Sequence, residues 1–390
     1  MDHLHRGDQH RPRRLLGRSR LQLVQRPLMN AIPRFNLAES TVRSLRLEEL
    51  LLFAETGSGL LDLPLDYGDR AGLPALREVL AAQSGVAPDA VVTLPGTMLG
   101  LHLLARRLCR AGGEALLVTP CYGPSRTVLD QAGVVVRTAR LLFEEGYRPD
   151  IARIAAMLRH ETRLVVLADP NNPSGVRMPR EAVQALLGAM ARRAPRAVLF
   201  IDETYREATY GPEPAPSAAC LGPRVVTAGS LSKAHGAPGL RIGWLTVPDA
   251  PLREELAAAK EALILSGSVL DETLAAALLA RPEGLLAERR HALAHALDMV
   301  TCWQADHAPL LEMVRPEAGA LCCLRLNPAR VGPQAVMRFW AALPQKELRL
   351  APGPWFGEAP GVFRLGFGHL PPAALAAALR ALSRVLEETL

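Results

Sequence analysis

The sequence predicts an α/β protein with a large, doubly wound, mainly parallel seven-stranded sheet and a smaller α+β part. Between residues 91 and 247, seven short runs rich in β-branched residues alternate with helix-forming stretches, which is typical of a parallel sheet covered by helices. Beyond about residue 268 the pattern changes to long Ala/Leu/Arg helices with fewer strands. A length of 390 residues suits one large and one smaller domain.

The predicted strands of the large sheet lie at 91–94, 115–119, 134–139, 163–168, 197–201, 225–229 and 241–247. Residues 72–83 and 97–110, on either side of the first strand, have the apolar spacing of helices. In the C-terminal part the patterns predict a helix over 283–302, strands over 311–314 and 321–326, a helix over 333–342, a strand over 362–367 and an amphipathic helix over 371–388.

These elements suggest four regions. We expect a disordered basic tail over residues 1–30, an N-terminal part of the small domain over 31–60, the large domain over 61–267 and the small C-terminal domain over 268–390. The tail holds seven arginines and two aspartates, so it carries +5 of the formal net charge of +6. A targeting segment and a nucleic-acid-binding arm are alternatives for the tail, but the nearly neutral body predicts no nucleic-acid partner.

The apolar residues and the cysteines indicate the compartment. No stretch reaches the roughly 18 consecutive apolar residues that a membrane span needs, so we expect a soluble, cytoplasmic protein without a membrane partner. The six cysteines contain no CxxC pair, and only Cys322 and Cys323 are close in sequence. This pattern favours reduced, mostly buried thiols and predicts neither a metal site nor a disulfide framework.

The densest group of chemically distinctive residues is GSLSKAHGAPGLRIGW, residues 229–244, directly after a predicted strand. Lys233 offers an amine for imine formation, Ser230 and Ser232 offer hydroxyls, and Arg241 can bind a phosphate through two parallel hydrogen bonds. An ordinary surface loop could carry the same residues. A lysine eight residues before such an arginine nevertheless suits a phosphorylated aldehyde.

Four further segments place polar or aromatic residues where strands end and helices begin. They are LPGTMLG (94–100), TPCYGP (119–124), DPNNPSG (169–175) and FIDETY (200–205). In the first, Gly96 and Thr97 open a helix whose backbone N–H groups could cradle a phosphate. Taken singly, the other three could be a core tyrosine, an ordinary turn and a helix cap.

The lysine segment resembles the corresponding motif of class I/II aminotransferases, the pyridoxal 5′-phosphate (PLP)-dependent fold type I family, and the four other segments resemble motifs of that family in the same order. The resemblance runs from about residue 35 to residue 388. It implies the fold type I architecture, with an active site between the two domains. It also implies that PLP is the cofactor and is held by Lys233 as a Schiff base.

The resemblance implies a role for each site residue. Lys233, Asp202 and Tyr205 would be catalytic, with Asp202 on the ring nitrogen and Tyr205 and Asn172 on the phenolic oxygen. The phosphate would be bound by Gly96, Thr97, Ser230, Ser232 and Arg241, and Tyr122 would lie over the ring.

Two segments nearer the ends of the chain extend the resemblance. APGPWFG and VFRLGFG (351–367) resemble the family segment whose arginine binds the substrate α-carboxylate, here Arg364, and Asn172 and Thr41 would also contact substrate. DYGDRAGLPALREVL (66–80) resembles the segment whose tyrosine, here Tyr67, reaches the cofactor phosphate of a neighbouring subunit. The resemblance therefore implies a homodimer with shared active sites.

The implied function is an aminotransferase that converts an L-amino acid into a keto acid through an external aldimine and a quinonoid. Elimination, replacement or cyclisation by the same cofactor remains the alternative, because residues 36–45 also resemble capreomycidine synthase, a relative that cyclises a hydroxylated arginine. A DNA-binding regulator with this fold is a third possibility, but the tail is too short for its DNA-binding domain. Neither an acidic nor an aromatic substrate is favoured.

Overall fold

The computed structural model describes residues 33–54, 58–110, 112–211 and 213–390. The strands in this part of the chain are β1 (Phe35–Asn36), β2 (Val91–Leu94), β3 (Glu114–Thr119), β4 (Val135–Arg140), β5 (Thr162–Ala168), β6 (Val198–Asp202), β7 (Val225–Ser230), β8 (Gly243–Thr246), β9 (Leu311–Val314), β10 (Leu321–Leu326), β11 (Leu348–Arg349), β12 (Ala351–Pro352) and β13 (Val362–Gly366). The predicted tail, residues 1–30, lies outside the described residues.

The helices alternate with these strands. They are α1 (Leu47–Ala54), α2 (Pro74–Ser84), α3 (Thr97–Leu108), α4 (Gly123–Gln131), α5 (Ile151–Ala156), α6 (Arg180–Arg193), α7 (Ala250–Ile264), α8 (Val269–Ala280), α9 (Glu283–Asp306), α10 (Pro333–Ala342) and α11 (Pro372–Thr389). No helix within the described ranges is both long and apolar enough to cross a membrane.

In the described residues, β2 to β8 form one seven-stranded sheet in the order β2-β8-β7-β6-β5-β3-β4. Only β8 runs antiparallel to its neighbours, β2 and β7. The central strands are buried on both faces, which explains why β5 and β6 are nearly continuous apolar runs rather than alternating ones. Because the other strands are parallel, their carboxyl ends meet at one edge of the sheet, where ligands bind in open α/β folds.

A second core lies between the C-terminal helices and a four-stranded antiparallel sheet of the order β12-β13-β10-β9. β1 pairs with β11 in parallel, and Phe35, Leu37 and Val42 pack in the same core as apolar residues of α9 and α11. The two ends of the chain therefore share one core. Helix α8 packs instead against α2 and α1.

The structure confirms the predicted fold class and its seven main strands, each within two residues of the expected bounds. The last of them begins at Gly243 rather than 241, because Arg241 has a φ of 55°, which is not a strand conformation. The prediction that the cysteines are mostly buried is wrong for two of the six. Cys220 and Cys302 are exposed, whereas Cys121, Cys322 and Cys323 are buried and Cys109 is partly buried.

Candidate active site

A cavity of about 380 Å³ lies at the carboxyl edge of the large sheet. It is bordered by the loops that follow β2, β3, β5, β6 and β7 and by the N-terminal segment around residues 36–44. Eleven of the predicted site residues line it: Thr41, Gly96, Thr97, Tyr122, Asn172, Asp202, Tyr205, Ser230, Ser232, Lys233 and Arg241. The fold therefore brings together residues from five separate strand ends.

Lys233 lies three residues past the end of β7, and its side chain extends into the cavity. Its Nζ donates a hydrogen bond to Ser40 Oγ at 3.3 Å and lies 5.6 Å from the centre of the Tyr205 ring. The amine therefore has a hydroxyl acceptor and an aromatic face beside it. Among the described residues it takes part in no ion pair closer than 4 Å.

One end of the cavity is built to bind an anion. Gly96 precedes α3 with a φ of 96° and a ψ of 160°, a conformation that is essentially restricted to glycine. Its lack of a side chain matters, because a Cβ there would lie 2.8 Å from Arg241 Nη2. Ser232 donates its backbone N–H to Ser230 Oγ at 3.0 Å, and the two hydroxyl oxygens are 2.8 Å apart. A helix N-terminus, a guanidinium and two hydroxyls thus converge.

Asp202, the last residue of β6, presents a carboxylate from the floor of the cavity. Its Oδ1 accepts hydrogen bonds from the backbone N–H of Thr204 at 3.0 Å and from the Thr204 hydroxyl. Burial raises the pKa of this carboxyl group, while the Thr204 contacts and the nearby Lys233 lower it. A cationic N–H beside Asp202 would stabilise its ionised form.

A buried chain of hydrogen bonds links β13, the residues that line the cavity and the N-terminal segment. Arg364 on β13 is only 5% exposed. Its Nη1 donates a hydrogen bond to Asn172 Oδ1 at 2.9 Å, and its Nη2 donates one to the Ala38 carbonyl at 2.6 Å. Asn172 Nδ2 donates to Tyr205 Oη at 3.5 Å, and Tyr205 Oη donates to Ser40 Oγ at 2.8 Å. Arg364 therefore contacts the cavity through Asn172.

Ser40 is a functional candidate that the sequence-based site did not include. It is 3% exposed, and its hydroxyl accepts from both Tyr205 and Lys233. Thr41, which was predicted, is also buried and lines the cavity beside it. The only signal in the sequence was the pair of adjacent hydroxyl residues in the 36–45 segment.

The two predicted tyrosines outside the hydrogen-bond chain have different positions. Tyr122 lines the cavity and makes an edge-to-face contact with Trp355, with ring centres 5.2 Å apart. Burial raises the pKa of its phenol. Tyr67, in contrast, is 84% exposed and does not line the cavity of its own chain. The structure therefore leaves Tyr67 available to a second molecule but gives it no contact within this site.

Comparison with known proteins identifies the family. A family model described as aminotransferase class I and II matches residues 62–382. Capreomycidine synthase of Streptomyces vinaceus is 31% identical over 82% of this chain and 80% of that protein. Arginine–pyruvate transaminase of Pseudomonas aeruginosa is 30% identical over 77% of both chains.

A solved structure agrees with this assignment. The crystal structure of the PLP-dependent cyclase OrfR is 27% identical, has a TM-score of 0.82 and covers 98% of this chain and 100% of that one. The similarity thus includes the N-terminal segment that lines the cavity, as well as both sheets. The chain belongs to the class I and II aminotransferase family and is an enzyme of the PLP-dependent transferase type.

Proposed function

We propose that this protein holds PLP in the cavity at Lys233 and acts as an aminotransferase on an L-amino acid. The observation that carries the proposal is the convergence of a lysine amine, an anion cradle and a buried aspartate on one cavity. Aldehyde, phosphate and pyridine nitrogen are the three groups of PLP that need such partners.

The residues present fit the cofactor in shape and charge. The space that a Cβ at Gly96 would fill is open beside the Arg241 guanidinium, which leaves room for a phosphate at the start of α3. Asp202, whose pKa is raised by burial, would be stabilised as a carboxylate by a protonated ring nitrogen. Asn172 and Tyr205 would hold the phenolic oxygen, and Tyr122 would lie against the ring.

PLP, when bound, supplies an aldehyde that condenses with amines and a ring that withdraws electrons from the substrate α-carbon. The chain supplies orientation and proton transfer. Arg364, held rigidly by Asn172 and Ala38, would bind the α-carboxylate and so fix the direction of the α-carbon–hydrogen bond. The Lys233 amine would remove the α-proton, and Ser40 and Tyr205 would keep that amine in position.

A second reaction class is favoured by specific relatives. One of the similar proteins, OrfR, is named a PLP-dependent cyclase, and another, capreomycidine synthase, is not named for amino-group transfer. The same proton abstraction by Lys233 can precede elimination, replacement or cyclisation. We therefore keep PLP-dependent cyclisation, elimination or replacement as the alternative function.

We also propose a cytoplasmic homodimer in which Tyr67 reaches the neighbouring active site. Several large apolar side chains near Tyr67 and around the C-terminal end of α7 are exposed, and the two segments are joined by a hydrogen bond from Gly68 N–H to Ser266 Oγ. The exposed side chains are Leu61, Leu65, Leu263, Ile264, Leu265 and Leu270. Such a patch marks a contact surface. Sedimentation of the purified protein as a monomer would contradict the proposed homodimer.

We retain the proposed division into a large domain over 61–267 and a small domain formed by 31–60 and 268–390. The shared core of Phe35, Leu37 and the C-terminal helices supports it. Helix α8, with which the proposed small domain resumes after residue 267, contacts both α1 of that domain and α2 of the large domain.

The sequence contains three lysines, which makes the cofactor proposal easy to test. Lys260 is fully buried and Lys346 forms a surface ion pair with Glu388, so only Lys233 is in the cavity. Borohydride reduction of the PLP-loaded protein should attach the cofactor to the peptide that contains Lys233. Lys233→Ala should abolish this labelling and Lys346→Ala should not; labelling that survives Lys233→Ala would refute the assignment.

The two reaction classes are separated by their products. Transamination leaves a keto acid and converts the cofactor to its amine form. Elimination, replacement and cyclisation all return the cofactor as the aldehyde. Replacement and cyclisation give an amino acid with an altered side chain, and elimination gives ammonia and a keto acid that lacks the expelled group. Analysis of both cofactor and product after a single turnover therefore decides between them.

A further inference from the structure

Glu39 is a charged residue of the cavity wall that the proposed function does not use. The charged side chains among the described cavity residues are Glu39, Asp202, Lys233 and Arg241. The last three have their proposed partners in the ring nitrogen, the aldehyde and the phosphate of the cofactor. Arg364 has its proposed partner in the α-carboxylate of the substrate. Glu39 is left facing the space that the rest of the substrate would occupy.

The backbone around Glu39 is held tightly against β13. Gly366 N–H donates to the Leu37 carbonyl at 2.8 Å, and Arg364 Nη2 donates to the Ala38 carbonyl at 2.6 Å. At Gly366 there is no room for a Cβ, because it would overlap the carbonyl oxygen of Glu39. The start of the Glu39 side chain is therefore fixed relative to Arg364, the residue proposed to bind the α-carboxylate.

Few groups of the protein stabilise the negative charge of the Glu39 carboxylate. Its Oε1 accepts one hydrogen bond, from the backbone N–H of Ser40 at 3.1 Å. Within the described part of the chain no arginine, lysine or histidine nitrogen lies within 4 Å of it, although Arg364 is near enough to feel its charge. The side chain is half-buried. When a substrate covers the cavity, an unpaired carboxylate loses water and becomes costly unless the substrate supplies a positive charge.

We propose that Glu39 selects an amino acid whose side chain carries a cationic guanidinium or ammonium group. This inference rests on the proposed function, because it takes the α-carboxylate to lie on Arg364. A substrate with an acidic side chain would be repelled by Glu39, and an apolar one would leave the carboxylate desolvated without a partner. Asn36, Ser44 and His369 also line the cavity, and their polar side chains can accept or donate hydrogen bonds to the same head group.

L-arginine and L-citrulline provide a matched pair of probes, since they have nearly the same shape and differ in side-chain charge. Binding is followed by the change in the cofactor absorption spectrum of the PLP-loaded protein. We expect L-arginine to bind about 10- to 100-fold more tightly than L-citrulline, as for loss of one hydrogen bond to a charged group. In Glu39→Gln, which keeps the size and removes the charge, this preference should fall to within about threefold.

Glu48→Gln is the control, because it removes the same charge from an exposed residue nearby. It should leave the arginine preference unchanged. Equal binding of the two probes to the unmodified protein, or an arginine preference that survives Glu39→Gln, would overturn the inference about Glu39 while leaving the proposed function intact. Absence of a Lys233-dependent cofactor spectrum would instead remove the proposed function and the inference together.

Discussion

The contribution of the anion cradle to cofactor affinity can be tested by adding a single methyl group at Gly96. Gly96 precedes α3 with a φ of 96° and a ψ of 160°, and a Cβ there would lie 2.8 Å from Arg241 Nη2. We therefore predict that Gly96→Ala weakens PLP binding. The substitution adds one methyl group, and its closest neighbour is the flexible end of the Arg241 side chain.

The expected size of the effect has two components. An alanine at this backbone conformation costs about 1–3 kcal/mol of folding free energy. In the protein without cofactor Arg241 can swing away, so the steric contact adds little to that cost. In the loaded protein Arg241 must return to bind the phosphate, and displacing it removes a charge-assisted hydrogen bond of about 1.5–3 kcal/mol. The dissociation constant for PLP should therefore rise about 10- to 100-fold.

The assay is equilibrium binding of PLP, with urea unfolding of the cofactor-free protein measured in parallel. Gly85→Ala is the matched control, because Gly85 also has a positive φ, of 68°, but a Cβ there has no neighbour within 4 Å. Both variants should lose stability, of the order of 1–3 kcal/mol, and only Gly96→Ala should lose cofactor affinity. Unchanged PLP affinity in Gly96→Ala would refute the argument that this cradle binds the phosphate.

Two further predictions concern buried titratable groups. Burial lowers the pKa of His235, so near neutral pH the unfolded chain binds a proton at this residue more readily than the folded protein does. The free energy of unfolding should therefore fall as the pH drops below about 6.5, by up to about 1.4 kcal/mol per pH unit. In urea unfolding, His235→Gln should reduce this pH dependence. Burial also raises the pKa of Cys121 to about 12, so a thiol reagent at neutral pH should modify the exposed Cys220 and Cys302 and spare Cys121 until the protein unfolds.

Sequence patterns predicted the large sheet well because its strands are fixed by local composition. β5 and β6 are short runs of Val, Leu, Ile and Phe buried on both faces, and that signal does not depend on the rest of the chain. The two-residue strands β1 and β11 were not predicted. Phe35 pairs with Leu348, more than 300 residues away in sequence, and neither segment has strand periodicity of its own. Only the folded core brings them together.

The same distinction separates the parts of the site that the sequence predicted from those that it missed. Asp202 is the last residue of β6, and Asn172 and Lys233 follow β5 and β7, where a polar residue or a turn stands out after an apolar run. Ser40 and Glu39 have no such context. Their positions depend on the crossing of residues 37–39 over β13, which is held by one backbone hydrogen bond, from Gly366 N–H to the Leu37 carbonyl, and by the Arg364 guanidinium.

The position of residues 37–39 over β13 also helps to explain why the family motifs do not distinguish transamination from cyclisation. Removal of the α-proton by Lys233 is common to transamination and to cyclisation, so the residues around Lys233 cannot distinguish them. The outcome depends on groups that contact the substrate beyond its α-carbon, and in the proposed pose these are Glu39, Thr41 and His369. They come from the two ends of the chain, whereas the lysine motif lies in its middle. Substitutions that convert one reaction into the other are therefore expected in residues 36–44 and at His369 rather than in residues 229–244.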